Sequence, residues 1–464
     1  MTKTTIEIIS PVDNSVFATR ERAINSEITQ TVIQAVTAQK SWRQLSINQR
    51  ASYCRDAIDF MLLNKAELAL ELSWQMGRPI AYAEGEIAGL VERGRYMIDI
   101  AQAQLSDVKV GDKIGVTRFI RREPLGVVFT IAPWNYPYLT AVNSIIPALM
   151  AGNSVILKHS AQTLLCAERF FAAFEAVGLP VGVFSYLHLD HQQTSELVRN
   201  KAINFVSFTG SVSGGAAIEA AAAGQFKGVA LELGGKDPAY VREDANFSHA
   251  IEQIVDGAFF NSGQSCCGIE RVYVHHSVFH PFVEGVVKAV KRYKLGSPLN
   301  KTTTLGPLVS TKAAQHVRDQ INQAIAMGAQ AHITPALFDK HQLDIPYLAP
   351  QVLTDVSHEM AVMSEESFGP VLGIMPVEDD AQAIELMNDS PFGLTASIWT
   401  RDENAAKTIG DQLQTGTVFM NRCDYLDPAL PWVGVKDSGR GCSLSALGYD
   451  QLTRPKSFNL SHAK

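Results

Sequence analysis

Apolar residues near the N-terminus recur at helical intervals. Ile28, Val32, Ala35 and Val36 share one face, and a second periodic run extends from about Gln49 to Met76 before Gly77-Arg78-Pro79 breaks it. The first hundred residues are therefore expected to be helical. From Gly126 the pattern changes to short apolar runs: Gly126 to Ile131, Ser154 to Lys158, Gly182 to Leu187, Asn204 to Phe208 and Gly228 to Leu233. They alternate with helical segments, which predicts βαβ units in a parallel, doubly wound sheet. A second α/β region is expected from about Gly234 to Val418, with Val317, Ile321 and Ile325 on a helix closed by Gly328. Lys109 to Arg122 reads as a hairpin around Gly111-Asp112 with Ile114, Val116 and Phe119 alternating, and Leu452 to Leu460 as a further strand.

A single core rarely grows past about 300 residues, so 464 residues imply two or three domains. The net charge of −7 and the lack of a Lys/Arg run argue against a nucleic-acid partner. MTKTTIEIIS has no secretory-signal pattern, and no run of about 18 apolar residues occurs, so a cytoplasmic protein with no membrane partner is expected. Six cysteines in so long a chain make no disulfide framework. No CxxC pair or HExxH helix points to a metal.

The doubly wound pattern puts Asn135, Lys158, Gly210 and Glu232 just after strands, where such sheets bind ligands. Three segments then suggest covalent carbonyl chemistry. Phe259 to Arg271 sets Cys266 behind a Gly-Gln-Ser turn, Glu232-Leu233-Gly234-Gly235-Lys236 joins a carboxylate to paired glycines, and Pro133-Trp134-Asn135-Tyr136-Pro137 holds an amide between prolines. A cysteine attacks a carbonyl as thiolate, and the acyl-enzyme then needs a base to activate water. Cys266 and Glu232 supply these groups. The Asn135 amide and the Cys266 backbone N–H are candidate oxyanion donors, and one such donor typically contributes roughly 3 to 4 kcal/mol. The adjacent Cys267 is either a wall of the pocket or a redox partner, while Cys54, Cys166, Cys423 and Cys442 read as structural.

These segments, with Ser207-Phe208-Thr209-Gly210-Ser211 and Glu366-Ser367-Phe368-Gly369-Pro370, resemble the aldehyde dehydrogenase superfamily from about Ile8 to Phe458. The resemblance implies a Rossmann-like NAD(P)-binding domain over residues 1–108 and 125–233 and an α/β catalytic domain over 234–420. It also implies a small β oligomerisation arm over 109–124 and 440–464, hence a homodimer or homotetramer. NAD or NADP is the implied cofactor. Gly210, Ser211 and Gly215 match the phosphate-side helix start, Lys158 the lysine that meets the adenosine ribose, and Trp134 a cofactor-side aromatic. Glu366 is expected on the nicotinamide ribose, with Phe368 packed beside it. Unaided, these are a glycine turn, a solvated strand end, a surface acid and a core aromatic. Many NAD-preferring relatives carry a glutamate where this chain has Ala161, so NADP is expected to be tolerated, with Ser160 or His159 near its phosphate.

The implied reaction runs from an aldehyde through a thiohemiacetal and thioester on Cys266 to a carboxylic acid, with Glu232 as the base, a role contributing about 10² to 10⁴ in rate. Glu232 argues against release as an acyl-coenzyme A, which stays the rival enzyme reading beside a non-catalytic binding protein on the same fold. Expected pocket walls are Tyr136, Leu139, Asn143, Phe260, Ser265, Cys267, Tyr425 and Trp432, with Arg422 and Asp424 near the mouth. In succinic semialdehyde dehydrogenases an arginine stands at the position of Asn143. Its absence favours an uncharged aliphatic or aromatic aldehyde, although a semialdehyde stays open. Asn143-Ser144 also lacks the lysine of many relatives, and the PWVGVKDSGRG ending departs from the commoner form, which suggests a less familiar branch. Lys236, Asn421 and Gly439 match scaffold positions.

Overall fold

A computed structural model describes residues 4–462. Five parallel strands, Val127–Ala132, Ser154–His159, Phe184–Tyr186, Ile203–Thr209 and Gly228–Glu232, build the first sheet with Val127–Ala132 between Ser154–His159 and Ile203–Thr209. Val127–Ala132 is buried at every position, as a parallel strand with helices on both faces must be. On one face Ile145, Leu149 and Leu157 join Ile58, Leu90 and Ile98 of the N-terminal helices. On the other, Ile156, Val206 and Leu231 pack against Val32 and Ile218.

The second sheet has seven strands, in the spatial order Gln330–Ala331, Gln351–Thr354, Val371–Val377, Ile269–His275, Asp237–Val241, Thr395–Trp399 and Thr417–Met420. Only Gln330–Ala331 runs antiparallel. The chain then returns to the first sheet, where Gly439–Arg440 pairs antiparallel with Gly228–Glu232. A separate three-stranded antiparallel sheet joins Val108–Lys109, Val116–Pro124 and Thr453–Ser461, with Phe119 stacked on Phe458 at 4.5 Å. The expected α/β class, with two α/β regions and a small β arm, is the observed architecture.

Several local expectations change. The N-terminal hundred residues are not all helical, because Thr5–Ile9 and Val16–Glu21 form an antiparallel hairpin. Each strand is too short for a period-two signal to stand out, and only Ile8 of the first is buried. The Gln49–Met76 run is two helices, Ile47–Leu63 and Lys65–Met76, separated only by Asn64, so the apolar period passes through the junction. Gly77 ends the second in a left-handed conformation, φ 85°, as its position suggests. Ile114 does not alternate into a strand; it lies fully exposed in the connection before Val116.

Candidate active site

The Cys266 loop starts where the Phe247–Phe259 helix stops. Asn261, Ser262 and Gly263 take positive φ in succession, 52°, 59° and 74°, which turns the chain sharply. A Cβ at Gly263 would lie 2.3 Å from the Gly369 carbonyl oxygen, so both the conformation and the space call for glycine. Gln264 is buried and pins the turn: its amide donates to the Asn261 carbonyl and accepts from the Val309 N–H. At Gly235 a Cβ would come within 2.5 Å of the Cys266 carbonyl oxygen. The paired glycines after Glu232 thus let two backbones close on each other.

A buried polar network joins this loop to the Pro-Trp-Asn segment. Asn135 Nδ2 and Asn261 Nδ2 both donate to the Gln264 carbonyl, each at 3.2 Å. Arg78 donates to the Asn135 carbonyl at 2.6 Å and to Asn261 Oδ1 at 3.2 Å, and forms a buried ion pair with Glu86. Glu86 in turn accepts from the Tyr138 N–H at the start of the Pro137–Met150 helix. Arg78 also lies over the Tyr136 ring, 4.4 Å from its centroid.

A cavity of about 470 Å³ opens over Cys266. Glu232 lines it, and so do Tyr136, Leu139, Asn143, Phe260, Ser265, Cys267, Tyr425 and Trp432. Asn135 stands one residue behind that wall, 5% exposed. A larger open groove of about 1090 Å³ lies elsewhere, between Thr19–Ala23 and Phe184–His188, and carries no cysteine. Glu232 accepts hydrogen bonds from Ser443 Oγ and from Thr209 Oγ1, the latter at 3.2 Å. Burial raises its pKa, and these two donors oppose the rise. Cys267 Sγ and Ser265 Oγ each donate to Asp424 Oδ1 at 2.9 Å. The hydrogen bond with Cys266 and burial keep Cys267 a protonated thiol, and burial lifts Asp424 to about 6.

Four wall and support residues carry no motif: Arg78, Glu86, Arg93 and Ser443. One signal was available for two of them. Glu86, Gly89 and Arg93 recur at i, i+3 and i+7 on the Ile80–Leu105 helix, placing two charges on a buried face. Gly89 is needed there, since a Cβ would meet Leu139 at 2.6 Å.

The remaining expected residues gather at the carboxyl ends of the first sheet and across from it. Ser211 caps the Val212–Ala222 helix by accepting from the Gly214 N–H, the Gly210 N–H donates to the Glu232 carbonyl, and a Cβ at Gly215 would meet Leu233 at 2.6 Å. Lys158 ends its strand half-buried with no partner for its ammonium among the described residues, and burial lowers it to about 8. Glu366 accepts from the Gly235 N–H at 3.0 Å, and burial raises it to about 7. Trp134 meets Phe368 edge to face at 5.5 Å. Phe368, at φ 51°, is held by Glu270, which takes the N–H groups of Ser367 and Phe368 and pairs with Lys236. Ser160 caps the turn that begins at exposed Ala161. His159 is a correction: its ring turns inward to the Pro137 carbonyl and Thr163, and burial drops it to about 3, so it is neutral, buried and offers no charge to a phosphate.

Comparison with known proteins extends this geometry. The sequence model of the Aldehyde dehydrogenase family matches residues 1–458. An aldehyde dehydrogenase of Paenarthrobacter nicotinovorans is 34% identical over 97% of this chain and 98% of its own. A probable succinate-semialdehyde dehydrogenase [NADP(+)] of Synechocystis is 36% identical over 90% and 91%. The crystal structure of succinic semialdehyde dehydrogenase from Streptococcus pyogenes in complex with NADP+ superposes with a TM-score of 0.94 at 26% identity, covering 98% of this chain and 100% of that one. With a match over nearly its full length, a thiol and a carboxylate on one cavity, and the expected two-sheet fold around them, the chain belongs to the aldehyde dehydrogenase family.

Proposed function

We propose that this protein oxidises an aldehyde to its carboxylic acid with NAD(P)+, using Cys266 as nucleophile and Glu232 as base. The observation that carries the reading is the shared cavity: both groups line it, in a loop and strand end held by Gly235, Gly263 and Gln264. The Cys266 thiolate adds to the aldehyde carbon. The oxyanion is received by Asn135 Nδ2, whose second proton is left over from its bond to the Gln264 carbonyl, and by the Cys266 backbone N–H. After oxidation a thioester remains on Cys266. Glu232, kept basic by Ser443 and Thr209 against its burial, removes a proton from the attacking water, and the acid leaves.

The residues across the cleft fit a nicotinamide dinucleotide. Lys158 is a desolvated cation without a partner among the described residues, and the capped start of Val212–Ala222 is a ready anion site. Gly210, Ser211 and Gly215 would hold the pyrophosphate side, Lys158 and Ser160 the adenosine ribose, Glu366 the nicotinamide ribose, and Trp134 and Phe368 would flank the cofactor. Bound there, NAD(P)+ supplies the hydride acceptor. Exposed Ala161 brings no negative charge against a 2′-phosphate, which supports use of NADP. Among the described residues no helix is long and apolar enough to cross a membrane. The mostly exposed Thr453–Ser461 strand and its half-buried neighbour Val116–Pro124 support a homodimer or homotetramer built through the arm.

The test is reduced-nicotinamide formation from a panel of aldehydes with NAD and NADP, with Cys266→Ala as control. The proposal expects turnover to free acid that vanishes in the variant; unchanged turnover in Cys266→Ala overturns it.

A further inference from the structure

Arg93 stands out on the wall of the Cys266 cavity. It comes from the Ile80–Leu105 helix, is 9% exposed, and faces the cavity from the side of Leu139, whose carbonyl it bonds at 3.1 Å. That is its sole hydrogen bond among the described residues, and no carboxylate forms an ion pair with it there. A guanidinium carries five donors in a planar fork matched to a carboxylate, and burying it without an anion is costly. The other cation on the cavity wall differs: Arg78 is consumed by Glu86. Arg422, expected near the mouth, is not part of the wall and lies over the Tyr425 ring.

One helical turn beyond Leu139, Asn143 makes no side-chain hydrogen bond among the described residues, so its Nδ2 protons are spare for an acceptor such as a carboxylate, while its buried Oδ1 is an unpaired acceptor that takes no part in holding an anion. A buried amide and a buried guanidinium with spare donors therefore occupy neighbouring wall positions. The acids on the same cavity are mostly engaged: Glu86 with Arg78, Glu232 with Ser443 and Thr209, Asp424 with Ser265 and Cys267, and Glu92 with the Tyr425 hydroxyl. Asp256, the remaining one, acts on Tyr82, Cys423 and Asp424, whereas the carboxylates acting on Arg93 are Glu232 and Glu86, both held by other partners.

We propose that Arg93, with Asn143, binds the carboxylate of an aldehyde-bearing short-chain acid while its aldehyde carbon meets Cys266. The inference rests on the aldehyde-oxidising reading and names its substrate class. It also revises the expectation drawn from position 143: the cation absent there is supplied by a different helix, and Asn143 assists it. Arg93 is thus a specificity-determining residue, with selectivity arising because an uncharged aldehyde leaves the guanidinium buried and unpaired.

The test compares kcat/KM for 4-oxobutanoate and butanal in the wild-type full-length protein, Arg93→Met and Arg93→Lys. The wild type is expected to prefer 4-oxobutanoate, and the ratio of the two to fall about 10- to 150-fold in Arg93→Met, the range for hydrogen bonds to charged groups. Arg93→Lys, which keeps charge but loses the fork, should fall between. Succinate binding to Cys266→Ala by calorimetry, with and without Arg93→Met, decides the proposal independently of turnover. A wild type that prefers butanal, a selectivity ratio unmoved by Arg93→Met, or succinate binding unmoved by it overturns the inference. Loss of turnover of both aldehydes by the wild type, with succinate binding still dependent on Arg93, would instead remove the aldehyde-oxidising reading and leave the anion site standing.

Discussion

Ser443 donates a hydrogen bond to Glu232 across 211 residues of sequence. Trp432 and Ser443 exchange backbone hydrogen bonds at 2.8 and 2.9 Å, so a short antiparallel bridge aims the hydroxyl at the carboxylate. A donor to the ionised form holds the pKa of a buried acid down. In Ser443→Ala, Glu232 is therefore expected to rise further, and the acid limb of the kcat profile to move to higher pH by up to about one unit, the worth of a single hydrogen bond. Activity should recover on the alkaline side. A pH–rate profile of the variant beside the wild type checks this.

Lys158 gives a prediction of opposite sign for stability and binding. Its folded pKa of about 8 lies below the ordinary 10.5, so the unfolded chain binds more protons between those values and stability rises with pH through that window. At pH 7 the buried charge is a cost. Lys158→Met should stabilise the cofactor-free protein at pH 7 by about 1 to 3 kcal/mol while weakening NAD(P) binding. Thermal melts with and without cofactor read both.

At Gly234, a Cβ would lie 2.5 Å from both carboxylate oxygens of Glu366. Gly234→Ala is expected to displace that carboxylate and raise the cofactor Kd about 10- to 100-fold with little change in melting temperature. Because Glu366 titrates near 7, wild-type cofactor affinity should weaken as pH falls below that value, and the dependence should disappear in Glu366→Gln. Fluorescence titration at several pH values measures it.

The Arg78–Glu86 pair is buried at both ends, with side chains 2% and 0% exposed. Arg78→Met leaves Glu86 uncompensated and should destabilise by about 3 to 5 kcal/mol. The double variant with Glu86→Leu should recover much of that, as seen in denaturant unfolding. Both lose the clamp on the Asn135 carbonyl, so activity is expected to stay low in the stable double variant.

The parallel strands from Val127 to Glu232 were legible because each is a short apolar run between polar or glycine-containing turns. Cys266 and Glu232 were legible because tight backbone approaches demand glycines at fixed offsets, and those glycines are part of the motif, whereas the pocket walls were expected only from the family resemblance. Arg93 and Ser443 were not. Their importance lies in contacts with segments far away in the chain, and an arginine on a long helix is usually a solvated one. His159 misled for a related reason: in a strand, alternate side chains face opposite ways, and this one faces the core beside Lys158.

The return of the chain from the second sheet to pair Gly439–Arg440 with Gly228–Glu232 has a consequence during synthesis on the ribosome. Cys266 emerges well before the strand that completes the first sheet and before Ser443, which bonds Glu232. A growing chain thus carries the Cys266 sulfur before the cavity around it is finished. The last segment closes over Glu232 only when nearly the whole chain has been made.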